Sequence, residues 1–367
     1  MNALAQAFAA MAPQEPGVGA AVSVWQGGRQ VFHLAVGEAM PGAPWEEDTL
    51  APIFSATKPL AAACLLLALH EGGLTPEVEM GELWPAFPAP RCTVAHVLSH
   101  QAGLAALAHS ASMHDLEDCR AAIESTTPAW APPQHGYHPH TFGPLADILM
   151  LRLAGQRIGE FWESRVRRPL GIDAYIGLPE SEVERVAHLR LPRVQGPLPS
   201  TEFYRHFFDP ASPVHRAFHC LAGAPPIREM HTAQALQCAS PARGGVASAA
   251  GLAMAYQALM GQLPGSPFPP EVQEWLSTPR CAGWDLTLRC HTSFTCGAMC
   301  APAELYPRGG FGHSGFGGSH ALCVPSAGLS FAYIPGKLMP GPLPHSRMAD
   351  LVAALAERAD KVRKNCG

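Results

Sequence analysis

The stretch that most limits how this chain can fold is Leu60-Ala61-Ala62-Ala63-Cys64-Leu65-Leu66-Leu67-Ala68-Leu69, with Lys58 and Pro59 at its head. This uncharged run is too short to cross a bilayer, and its even apolarity predicts a helix buried on all sides. Lys58 therefore stands where an amine is costly. The chain has four lysines, and the other three, Lys337, Lys361 and Lys364, lie near the C-terminus. Arginine supplies nearly all the remaining positive charge. Desolvation disfavours a charged amine and lowers its pKa, which lets buried lysines act as bases, a role closed to arginine.

Ser55 precedes that lysine by three residues. Serine is favoured at a helix start, and proline is tolerated in a first turn but not in a helix interior. A helix beginning near Ser55 places the hydroxyl and the amine on one face. First-turn N–H groups and the helix dipole favour negative charge on the serine oxygen. A nucleophile, a neighbouring base and a helix N-terminus are the parts of covalent acyl transfer. The plain alternative is a capping serine with a lysine reaching out to water; the scarcity of lysine favours the catalytic reading.

A length of 367 residues is ample for a large core and suggests about two domains at ~150 residues each. Charged residues make up 15% and apolar residues 47%, the balance of a compact protein with much buried surface. A formal net charge of −5 offers no electrostatic case for nucleic acid or an anionic membrane. The eleven cysteines are odd in number, several sit in apolar runs and none forms Cys-x-x-Cys, so free thiols in a reducing compartment are expected. The N-terminus lacks a positively charged region before an apolar one, which predicts a cytoplasmic protein without a signal peptide.

Along the chain, Ala3 to Met11 reads as a short helix. Ala20–Trp25 and Gln30–Gly37 flank Gly27-Gly28 as a hairpin. Helical patterns dominate from Gly81 to about Arg168. Thr93 is a good N-cap for a helix bearing His96 and His100 four residues apart, a spacing that also suits zinc. No third ligand accompanies them, and no metal is expected. Residues 179–242 read as a long irregular excursion, lid-like in length. Strands are predicted at Phe294–Met299, His320–Val324 and Leu329–Ile334, and an amphipathic helix from Ser346 to about Lys361. The expected fold is α+β: one antiparallel sheet built from both termini (residues 1–72 and 243–367), flanked by helices, with an inserted helical unit over 73–242.

Five motifs, in order, resemble the serine β-lactamase and penicillin-binding-protein superfamily, specifically its class C-like branch with the family VIII carboxylesterases. Ser55-Ala56-Thr57-Lys58 matches Ser-x-x-Lys. Thr93 to Leu104 is similar to a helix these proteins carry next, which makes the two histidines structural. Tyr137-His138-Pro139 falls where the family has Tyr-x-Asn or Tyr-x-Ser. Gly244-Gly245-Val246-Ala247-Ser248 resembles a Gly-Gly turn entering a helix, and His313-Ser314-Gly315 falls at the Lys-Thr-Gly strand. The resemblance implies Ser55 as nucleophile, Lys58 and Tyr137 as acid and base partners, and an oxyanion hole from the backbone N–H groups of Ser55 and Phe316. It also implies that His313, Ser314 and Gly315 border the substrate, and that no cofactor is needed.

Two departures set the expected substrate. His313 replaces a permanent cation that holds substrate carboxylates in the antibiotic-processing relatives, and Pro139 removes a side-chain amide. A neutral imidazole suits an uncharged ester. The expectation is a carboxylesterase acting on a small-molecule ester or amide, with neither nucleic acid nor membrane as partner. A β-lactamase, a D-amino-acid peptidase or an acyltransferase with the same centre is the alternative, and a non-catalytic module of this fold the remote one. No Gly-x-Ser-x-Gly elbow occurs, which argues against an α/β-hydrolase.

Overall fold

The computed structural model describes residues 2–11, 15–191, 201–225, 229–307, 309–339 and 347–366. Helix α1 (Asn2–Met11) leads to strands β1 (Ala20–Gln26) and β2 (Arg29–Val36), then to β3 (Ala51–Phe54), a single 3-10 turn at Ser55–Thr57 and α2 (Lys58–Glu71). Helices α3 (Val94–Leu98) and α4 (Phe142–Ala154) follow, then β4 (Ala174–Ile176), β5 (Gly245–Ala247) and α5 (Ala249–Leu259). Strands β6 (Phe311–Ser314), β7 (His320–Val324) and β8 (Leu329–Pro335) precede the C-terminal α6 (Arg347–Cys366). The main sheet is antiparallel in the order β6-β7-β8-β1-β2, so N- and C-terminal segments interleave as expected.

Period-2 alternation decides which side each sheet residue faces. Ala21, Ala321, Ala332 and Ile334 belong to the core shared with α2 and α5, while Val22, Val24, Leu322, Phe331 and Tyr333 pack with Leu4 and Phe8 of α1 and Met348, Leu351 and Leu355 of α6. The small side chains on the first face let the helices approach closely; the large ones fill the second. At the hairpin, Gly27 and Gly28 both take positive φ, as a two-residue turn between twisted strands requires. The Gly28 N–H donates to Gln257 Oε1 of α5 at 2.8 Å, and Gln257 Nε2 donates to Ser330 Oγ at 2.9 Å, tying helix to sheet.

Helix α2 is buried from Lys58 through Leu69. A second sheet, β3-β5-β4, delivers the chain into it. Phe54, the last residue of β3, holds φ 49 and ψ −126, a backbone conformation a bulky residue adopts only when its surroundings impose it. Gly245 N and the Phe54 carbonyl both bond Thr57 Oγ1, which locks this bend.

Several expectations need correction. Phe294–Met299 is not a strand: β-structure spans His291–Phe294, after which the chain turns at Gly297 (φ 88), its N–H donating to Leu98 O at 3.0 Å. The helix after Thr93 stops at Leu98, and His100 lies beyond it at φ 64, so His96 and His100 do not share a helix face. Residues 201–236 contain three short helices, at Glu202–Phe207, Pro213–His219 and Ala233–Leu236, rather than irregular chain alone. Ser346, the expected first residue of the C-terminal helix, lies outside the described residues. The cysteines from Cys64 through Cys323 are unpaired. No described helix is long and apolar enough to cross a membrane.

Candidate active site

The 3-10 turn preceding α2 sets Ser55 and Lys58 side by side, with Lys58 Nζ 3.2 Å from Ser55 Oγ. The amine is wholly enclosed and meets two further oxygens, Ala242 O at 2.9 Å and Pro139 O at 3.1 Å. Burial, reinforced by the nearby Arg243 guanidinium, pushes its pKa well below the lysine range. A neutral amine has two N–H donors and one lone pair. In that form the two carbonyls can take both donors, which leaves the lone pair toward Ser55 Oγ. Three acceptors around an ammonium would engage all three of its protons, and burial works against that charged form.

Tyr137 closes the site. Its ring centroid lies 4.8 Å from Lys58 Nζ, and it packs on His313 (5.7 Å), Phe294 (6.1 Å) and His100 (4.9 Å). Burial raises the phenol above its ordinary range, against the influence of a hydrogen bond with Ser55. The phenol is therefore protonated at rest.

The loop that presents Tyr137 is held by residues that sequence reasoning passed over. Buried Asp285 accepts from Tyr137 N (3.1 Å), Thr287 N (2.8 Å) and Leu288 N (2.7 Å) through Oδ1, and from Thr292 Oγ1 (3.1 Å) through Oδ2. His138 Nδ1 donates to Gly136 O at 2.8 Å, while its Nε2 accepts from Leu104 N at 3.0 Å. Pro139 offers its carbonyl to Lys58 in place of a side-chain amide. Backbone acceptors carry no residue-type signature, which hid Pro139 and Ala242; the aspartate lies 148 positions from its tyrosine.

Strand β6 lies beside the Ser55 turn. Ser319 Oγ donates to Ile53 O at 3.0 Å, and Gly315 packs so tightly on Ile53 and Ser319 that a Cβ there has no room. The Phe316 N–H follows at the start of a 3-10 turn, Phe316–Gly318, where first-turn amides have no intrahelical acceptor. The Phe316 ring stands edge-on to Phe54, 5.8 Å between centroids. Ser314 Oγ bonds His320 Nδ1 at 2.7 Å and Tyr306 Oη at 3.4 Å, so its hydroxyl is already engaged. His313 Nδ1 donates to Ser314 O at 2.7 Å; its buried Nε2 has no partner among the described residues. Burial lowers its pKa to about 3, so this imidazole is neutral and its Nε2 is an acceptor.

Ser55, Lys58, Tyr137, His313, Gly315 and Phe316 thus come together; His96 does not, bonding Thr93 at its own helix start. Among the described residues no cluster of three or more His, Cys, Asp or Glu could hold a metal. The chain is 28% identical over 378 residues to the esterase/beta-lactamase LipL of Mycobacterium tuberculosis, a match covering 98% of this chain and 87% of that one. A penicillin-binding-protein homologue from Caulobacter crescentus superposes with a TM-score of 0.84 at 30% identity, covering 97% and 96% of the two chains. A family VIII carboxylesterase gives 0.82 at 28%, covering 98% and 97%. The family model described as Beta-lactamase matches residues 4–355, and the chain belongs to the Beta-lactamase family of serine hydrolases.

Proposed function

We propose that the protein is a carboxylesterase working through an acyl-enzyme on Ser55. Lys58 Nζ accepts the Ser55 proton as Oγ attacks the ester carbonyl, and the N–H groups of Ser55 and Phe316 receive the oxyanion. The ammonium now stands 4.8 Å from the Tyr137 ring and lowers the cost of a phenolate. Tyr137 then gives its proton to the departing alkoxide and regains one from Lys58, which restores the neutral amine. In deacylation a water yields its proton to the same pair, attacks the acyl carbon and releases the acid with Ser55 reprotonated. No net proton is gained or lost by the site.

The observation that carries this reading is the buried Lys58 Nζ held 3.2 Å from Ser55 Oγ while two backbone carbonyls take its other contacts. The neutral His313 at the third motif favours esters over substrates that need a cation there, and two of the similar proteins bear esterase names. Segment 179–242, within the proposed inserted unit 73–242, contributes Leu189, Met230 and Ala235 to an apolar cluster with Phe54, Leu338 and Phe316, so an apolar wall stands beside the proposed oxyanion hole. A β-lactamase, D-amino-acid peptidase or acyltransferase would use the same centre. Purified protein is assayed with 4-nitrophenyl butyrate and with nitrocefin; turnover of nitrocefin alone would overturn the esterase reading.

A further inference from the structure

The turn Ser240–Gly244 does two things at the site. Ala242 gives its carbonyl to Lys58, and the next residue, Arg243, brings a guanidinium close enough to depress the Lys58 pKa. Among the described residues the acceptors Arg243 Nη2 meets are Pro225 O at 3.4 Å and Met230 Sδ at 3.6 Å, both weak contacts. No carboxylate pairs with it among the described residues. The neighbouring stretches 192–200, 226–228 and 340–346 contain no Asp or Glu in sequence. Burial pulls the guanidinium down from the usual arginine range. The guanidinium is half-buried and lies near Lys58, and a cation with only such weak partners has donors left for an anion.

Arg243 also lies close to the catalytic residues. Met230, which its guanidinium touches, packs with Phe54, the residue before the nucleophile, and with Leu338 and Phe316. The third motif, in contrast, has lost its cation to His313. We infer that Arg243 is a substrate-binding residue that pairs with a carboxylate carried by the ester itself, so that the preferred substrates are esters bearing a free acid group. This rests on the esterase reading and narrows it. An imidazole faces the reacting end and a cation waits behind the Lys58 turn, so recognition of an anion is moved rather than lost. A guanidinium and a carboxylate form two parallel charge-assisted bonds, and hydrogen bonds to charged groups contribute enough for a tenfold to hundredfold preference.

The test compares matched esters that differ only in that charge. On the acyl side, mono-4-nitrophenyl adipate is set against 4-nitrophenyl hexanoate; on the alcohol side, 3-(butyryloxy)benzoate against its carboxamide. Wild-type kcat/KM favours the anionic member of at least one pair by about tenfold or more, chiefly through KM, and Arg243→Gln reduces that ratio to below about threefold. Arg243→Lys, which keeps the charge but not the fork, gives an intermediate ratio. Competitive inhibition of the wild type by adipate, set against adipamide, reads the same cation without any substitution. If neutral esters are hydrolysed but neither pair shows an Arg243-dependent ratio, the inference falls and the esterase reading stands. A shift of the pH profile in Arg243→Gln with unchanged ratios reduces Arg243 to tuning Lys58, and also overturns it. If no ester of either charge is turned over by folded protein, the esterase reading falls and takes the inference with it.

Discussion

Asp285 offers the sharpest separation of positioning from charge. Its Oδ1 gathers three backbone N–H groups, those of Tyr137, Thr287 and Leu288, at 2.7–3.1 Å, and it is buried. Asp285→Ala leaves all three donors without an acceptor, together with the Thr292 hydroxyl. At ~1–3 kcal/mol for each buried group left unsatisfied, the loss is at least about 3 kcal/mol. Asp285→Asn keeps an oxygen for the three N–H groups and turns an amide toward Thr292. Thr292 Oγ1 then accepts and must donate to His135 Nε2, 2.9 Å away, which costs one change of tautomer. The asparagine is therefore expected to lose about 1 kcal/mol. Activity follows the same split: a displacement of Tyr137 near 1 Å lowers kcat roughly 100-fold in the alanine variant, and the asparagine variant stays within about tenfold. Urea unfolding and steady-state kinetics on 4-nitrophenyl butyrate measure both. Equal losses for Asn and Ala, or an alanine variant within 1 kcal/mol of wild type, would show that Oδ1 is not what holds the tyrosine loop.

Other expectations follow from the same geometry. Tyr137→Phe removes the proton donor and slows kcat by about 10²–10⁴, with the larger effect on esters of poorly leaving alcohols; a uniform effect across leaving groups contradicts the donor role. The pH profile of kcat/KM has one ascending limb, because Lys58 must be neutral and its folded pKa is lowered. The Tyr137 limb lies above the ordinary tyrosine range, and His313, near 3, adds none around neutrality. A bell closing near pH 8 would contradict this assignment. Gly315→Ala, whose φ of −94 any residue can adopt, fails on space alone, since its Cβ comes closer to Ile53 O and Ser319 Oγ than real Cβ atoms come. The strand must shift against the nucleophile, and kcat drops about 100-fold in protein whose melting temperature is measured alongside.

The parts of this architecture visible in the sequence were those with local signatures. The apolar run after Lys58, the Gly27-Gly28 hairpin and the alternating strands His320–Val324 and Leu329–Ile334 are set by period and turn chemistry. Ser55 and Lys58 were legible because one helical turn separates them. Tyr137 was found only through resemblance, since nothing near it distinguishes a buried donor from a packing tyrosine. Phe294–Met299 misled because its β-branched and aromatic residues outweighed one glycine, although Gly297 has to turn where Ala62 leaves no room for a side chain. His100 misled because helical spacing says nothing about where a helix stops. The carbonyls of Pro139 and Ala242, which accept from Lys58, are invisible to any reading of side chains. Arg243 stood in view beside Gly244-Gly245, but its lack of a carboxylate partner is a fact of three dimensions.

The central claim is that a neutral Lys58 makes Ser55 nucleophilic. A fluorophosphonate probe followed by peptide mapping tests it directly in wild type and in Lys58→Arg, with folding of both checked by circular dichroism. Labelling at Ser55 in the wild type, slowed at least about 100-fold by an arginine that keeps the charge but cannot yield a lone pair, is the predicted result. Equal labelling rates, or a label on another residue of the folded wild type, would contradict it.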